Sequence, residues 1–210
     1  MKKTYYNLGL MAYKKGRLDE AIAYFNKSIK ANLRVSDAYC VRGCAYDDKG
    51  NIDQAIFDYN KAIKIDPKNA SAYNNRGGAY NGKKDFKKAI ADFNKAIEID
   101  PKFDKAYRNR GYTNWQQDKF DEAIADCSKA IEINPSYALA YYGRAIYYYE
   151  KLKHDKKRDP NHVYDQEKCG YSKAWQDLCK AKELGQKIID PKLIKGIKNG
   201  LEAEKQNIAL

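Results

Sequence analysis

Residues 70–103 read ASAYNNRGGAYNGKKDFKKAIADFNKAIEIDPKF, and residues 104–137 read DKAYRNRGYTNWQQDKFDEAIADCSKAIEINPSY. The second segment restates the first at a step of 34 residues: Arg76-Gly77 becomes Arg110-Gly111, Ala89 becomes Ala123, and Asp100-Pro101 becomes Asn134-Pro135. The same step reaches back to Arg42-Gly43 and Asp66-Pro67, and forward to Arg144-Ala145. A unit that recurs at a fixed period determines the architecture, because each unit buries its apolar face against the next.

Aligned on that period, repeats run over 2–35, 36–69, 70–103 and 104–137, and a fifth starts at Ala138. Each reads as two helices. Tyr39, Arg42, Gly43 and Tyr46 have the spacing of one helix face, and after a break at Lys49-Gly50-Asn51 the spacing resumes with Ala55, Tyr59 and Ala62. The Asp-Pro pair is expected to stop the second helix and start the next unit, with Asp as N-cap and Pro in the first turn. Glycines 43, 77 and 111 mark where paired helices approach closely. Tyr39, Tyr73, Tyr107 and Tyr141, with Tyr59 and Phe93, are expected to fill the core between helices.

This combination resembles the tetratricopeptide repeat family, with its small residue at the eighth position, aromatic at the eleventh, Ala at the twentieth and twenty-seventh, and Pro at the thirty-second. The resemblance covers residues 2 to about 187. It implies an all-α fold, a right-handed α-solenoid of five helix-turn-helix repeats with a C-terminal capping helix, forming one domain over 1–210. Departures are local: Leu33 stands at the Pro position of the first repeat, Asn114 at the aromatic of the fourth, and Cys127 at the large residue of its second helix.

A second pattern is internal to the chain. Arg precedes the small eighth position in repeats two to five, and Asp follows three residues after the helix-opening Ala, giving Arg42 with Asp58, Arg76 with Asp92, Arg110 with Asp126 and Arg144 with Asp177. Repeat one has Leu8 and Tyr24 instead. An unpaired buried charge is costly, so loss of both together predicts that each Arg pairs with its Asp across the two helices.

In the fifth repeat the matching Ala falls at 174, a 17-residue insertion between the helices, expected at about 153–173. Both histidines, His154 and His162, lie there beside Cys169; with Cys179 they match no metal-finger spacing, so the expected metal and cofactor content is none. A solvated loop with a lengthened first helix is expected instead, and loops of this kind can also contact partners. Asp190-Pro191 then repeats the cap-and-start grammar, and Leu193, Ile194, Ile197 and Leu201 form the apolar stripe of a cap helix over about 190–208.

Composition sets limits. The chain has 210 residues, 43% hydrophobic, with a formal charge of +12. That excess sits at the two ends, +6 in the first repeat and +4 over 138–187, with −1, +3 and −1 between. A continuous basic stripe is missing, which argues against nucleic acid as the partner. No stretch is long and apolar enough to span a bilayer. Five cysteines, an odd number in a chain this large, are expected to be reduced, and the cytoplasm is favoured with the compartment left open.

No nucleophile elbow, phosphate loop or ligand cluster is present, so the expectation is a binding scaffold and not an enzyme. The family resemblance implies that first helices line a concave face that holds a peptide or protein segment. Two features mark that face. Asn7, Asn75 and Asn109 share the sixth position, where an amide can both donate to and accept from an extended backbone, and Asn74 adjoins them. Tyr112, Trp115, Tyr142 and Tyr149 form an aromatic group next to Arg108, a composition enriched at binding hot spots, though ordinary packing between repeats explains it equally. The Lys and Asn pair of carboxylate-clamp family members is absent at positions five and nine of every repeat, so recognition of a chaperone C-terminus is not expected. Self-assembly into a homo-oligomer, or an acidic or nucleic-acid partner held by the basic ends, is the alternative reading.

Overall fold

The computed structural model describes residues 2–158, 170–187 and 189–208. All regular structure among them is helical, and packing divides the chain into two compact units, Met1–Lys102 and Phe103–Leu210. Neighbour-only contact between hairpins is what allows such a division in a repeat chain.

The first unit holds three hairpins: α1 (Lys2–Lys14) with α2 (Leu18–Lys30), α3 (Val35–Asp48) with α4 (Ile52–Ile65), and α5 (Ala70–Gly82) with α6 (Phe86–Ile99). The second holds α7 (Asp104–Trp115) with α8 (Phe120–Ile133), then α9 (Ala138–Arg158) with α10 (Gly170–Glu183), and α11 (Pro191–Ile208). At 21 residues α9 outruns the other first helices, which have 12 to 14. Residues 153–158 of the expected insertion therefore continue α9 and 170–173 open α10, while His162 and Cys169 lie outside the described residues.

Within hairpins, a large ring of the second helix rests on a glycine of the first. A methyl group added at Gly43 would stand 2.6 Å from the Tyr59 ring, and at Gly77 2.8 Å from Phe93. Tyr59, Phe93 and Phe25 are buried accordingly. Tyr39, Tyr73, Tyr107 and Tyr141 differ from expectation: they are half-buried, and each supports the guanidinium of the arginine three residues on, 5.0 to 5.8 Å from the ring centre. They form the platform for the ion pairs more than the core.

Those pairs form as the sequence pattern predicts. Nε and Nη2 of Arg42 donate to the two oxygens of Asp58 at 2.7 Å each, and Arg76–Asp92, Arg110–Asp126 and Arg144–Asp177 repeat this two-point grip at 2.6 to 3.0 Å. Asp58 is fully buried. The remaining nitrogen reaches the preceding hairpin: Nη1 of Arg42 donates to Asn26, that of Arg76 to Asn60, and that of Arg144 to Ser128. Each of these three arginines thus ties together three helices. On the surface, Lys49–Asp19, Lys83–Asp53 and Lys151–Asp121 add exposed pairs between successive hairpins, which contribute little singly.

The Asp-Pro segments behave differently from the expected N-cap. Asp66 ends α4, its Oδ1 accepts from the Lys68 amide at 3.0 Å, and Asn69 caps α5 by accepting from the Ala72 amide. Asp100 and Asn134 organise the same turn. Three residues separate the aspartate from the next helix, which is why it cannot cap it. At Asp190 those residues are missing; Pro191 opens α11, and the Asp190 carbonyl accepts from Ile194.

Candidate protein-binding face

On α1, Asn7 is exposed. On α5, Asn74 is buried and donates through Nδ2 to Asn75 Oδ1 at 3.1 Å. Asn75 in turn donates to Cys44 Sγ at 3.1 Å and lies 3.7 Å from Cys40 Sγ. Both ends of the Asn75 amide are therefore engaged inside the first unit. The two thiols share a proton network: the hydrogen bond from Cys40, ahead of one from Tyr59, draws the Cys44 thiol below its ordinary value, and Cys40 is correspondingly held protonated.

In the second unit, α7 brings four predicted residues together. Arg108 Nη1 donates to Asn109 Oδ1 at 3.1 Å, and the guanidinium sits 5.7 Å from the Tyr112 ring centre. Tyr112, 37% exposed, leans on Trp115 at 5.5 Å between centroids. Trp115 is stacked on Tyr147 at 5.8 Å and 26°. Tyr142 and Tyr149 are not part of this group. They pack instead among Leu193, Ile197 and their neighbours, with Tyr149 edge-on to Tyr171.

Tyr147 is the residue that sequence reasoning missed. In the first unit Ala55, Tyr59 and Ala79 form one cluster; at the equivalent place in the second unit stand Ala123, Cys127 and Tyr147. The large ring has changed sides, from the second helix of one repeat to the first helix of the next. The signal was available, since Cys127 loses a ring where Tyr147 gains one. Asn114, at the usual aromatic position, is buried and donates to Asp126 at 3.3 Å, so it joins the ion pair.

Among the described residues no three His, Cys, Asp or Glu side chains gather to hold a metal ion, and no helix is long and apolar enough to cross a membrane. Profiles described as "Tetratricopeptide repeat" match residues 3–32, 70–103 and 104–137, and one described as "TPR repeat" matches 43–84. The chain belongs to the tetratricopeptide repeat family. No curated protein matches it. Solved structures similar to it include MamA, at 26% identity over 86% of this chain and 95% of that one, with a TM-score of 0.63. A second is TTC0263, a thermophilic TPR protein of Thermus thermophilus, at 18% identity over 96% and 99% with a TM-score of 0.70. A third is YrrB, described as a TPR protein with an unusual peptide-binding site, at 21% over 96% and 90% with a TM-score of 0.59. These likenesses establish an α-solenoid fold of helical repeats. Membership of the tetratricopeptide repeat family makes the chain a protein–protein interaction scaffold, and catalysis is atypical of that family.

Proposed function

We propose that this tetratricopeptide repeat protein holds an extended segment of a partner polypeptide along the faces of its first helices, with Arg108, Asn109, Tyr112 and Trp115 of α7 as the main attachment. The observation that carries this reading is the exposed Tyr112 ring backed by Trp115, which is itself backed by Tyr147. A ring already held in place offers contact area at little further entropic cost, and Tyr, Trp and Arg dominate binding energy at interfaces. Asn7 is free to meet a backbone, Asn75 would have to exchange its internal bonds to do so, and Asn74, Tyr142 and Tyr149 are assigned to the supporting layer.

A photo-crosslinking residue placed at Tyr112, with a control at the exposed Phe57 of α4, tests this in native extract. The expected result is partner adducts from position 112 that are absent from position 57 and lost on Trp115→Ala. Equal adducts from both positions, or adducts indifferent to Trp115→Ala, would sink the reading.

A further inference from the structure

Of the arginines whose side chains are described, Arg108 is the one with no carboxylate partner. Its Nε is buried and bonds to nothing. The acidic residue one turn earlier, Asp104, is already taken: Oδ2 accepts from Asn134 Nδ2 at 2.7 Å and Oδ1 from the Lys105 amide. Nη1 is spent on Asn109. What stays without an acceptor is the Nε–Nη2 edge, the same edge that grips an aspartate in each of the four Arg–Asp pairs of this chain.

A buried donor without an acceptor is costly. Such a cost inside a chain that pairs its other described arginines with carboxylates marks a group whose acceptor comes from outside. The protein's own pairs show which acceptor suits the fork, a carboxylate in the guanidinium plane. The surroundings add a second requirement, since the exposed Tyr112 ring lies against the guanidinium and the half-buried Trp115 ring backs Tyr112.

Resting on the docking reading above, we propose that the partner segment is acidic: it places the side chain of an internal Asp or Glu on the Nε–Nη2 edge of Arg108 and an adjoining apolar residue against Tyr112 and Trp115. The formal charge of +12 favours such a partner at long range. Lys105 stands one turn before Arg108 on α7, but Tyr112 occupies the position where carboxylate-clamp members carry Asn, which favours a side-chain carboxylate over a terminal one.

The test pans the intact protein against random decapeptides displayed inside a loop of a carrier protein, so that no free terminus is offered. Retained sequences are expected to carry Asp or Glu next to an aliphatic or aromatic residue. Changing that acid to Gln or Asn should weaken binding about ten- to a hundredfold on the intact protein and less than about twofold on Arg108→Gln, whose helicity is checked first. An acid that can be exchanged without loss on the intact protein, or with equal loss on Arg108→Gln, overturns the carboxylate assignment and leaves docking at Trp115 standing. Peptides that bind Trp115→Ala as well as the intact protein, or no retained peptides at all, remove the docking reading and this inference with it.

Discussion

Tyr147 on α9 occupies the space that Cys127 on α8 leaves open, and the pair is the size-reversed counterpart of Tyr59 and Ala79 in the first unit. Tyr147 is also the ring on which Trp115 stacks, so a packing exchange between two repeats supports the proposed contact surface.

Truncating that ring, Tyr147→Ala, should cost about 3 kcal/mol in urea unfolding, the range for large-to-small changes at buried sites. Adding Cys127→Tyr to it rebuilds the arrangement of the first unit and should recover a clear part of the loss. Additive or worse destabilisation in the double variant would show that the two positions do not share one space.

The Arg–Asp ties should behave as buried pairs. Asp58→Ala strands Arg42 and should lower stability by about 3–5 kcal/mol. Replacing both partners by the residues of the first repeat, Arg42→Leu with Asp58→Tyr, should lose much less, because no charge is left unpaired. Arg108→Gln, which removes a cation that has no carboxylate partner, should leave Tm unchanged or raise it.

Neighbouring glycines on α5 should respond in opposite directions. Gly77→Ala puts a methyl group 2.8 Å from Phe93 and should destabilise by about 1–3 kcal/mol. Gly78→Ala meets nothing within 4 Å and should stabilise by about 0.5–1 kcal/mol through helix propensity. Thermal unfolding of the two single variants checks both.

Alkaline conditions should weaken the fold. Burial pushes the Cys127 thiol up from 9.0 to about 12, and it likewise raises the Tyr147 hydroxyl. Between pH 9 and 12 the unfolded chain has released the thiol proton and the folded chain still holds it, so stability falls as pH rises, by up to about 1.4 kcal/mol per pH unit for this group. The slope of stability against pH above 9 should be shallower in Cys127→Ala than in the intact protein. An unchanged slope would mean that the thiol titrates freely.

The hairpins and the four Arg–Asp pairs were legible because each depends on residues that recur at a fixed spacing, and the first repeat even showed the pair lost as a unit. Tyr142 and Tyr149 were misassigned to the aromatic group for the same reason. Tyr142 stands one period after Arg108 and Tyr149 one period after Trp115, but α11 packs beside α9 and draws both rings into its own cluster.

The repeat is written in the chain: its length, its helix pair, its glycine contacts and its charge pairing all follow from local periodicity and from the cost of unpaired buried charge. Tertiary structure alone decided which side chains are spent inside the protein and which are left over. Asn75 turned both ends of its amide inward, Asp104 went to Asn134, and Arg108 was left without a carboxylate. These outcomes depend on which acceptor stands within about 3 Å of a donor, a distance that no spacing along the chain encodes.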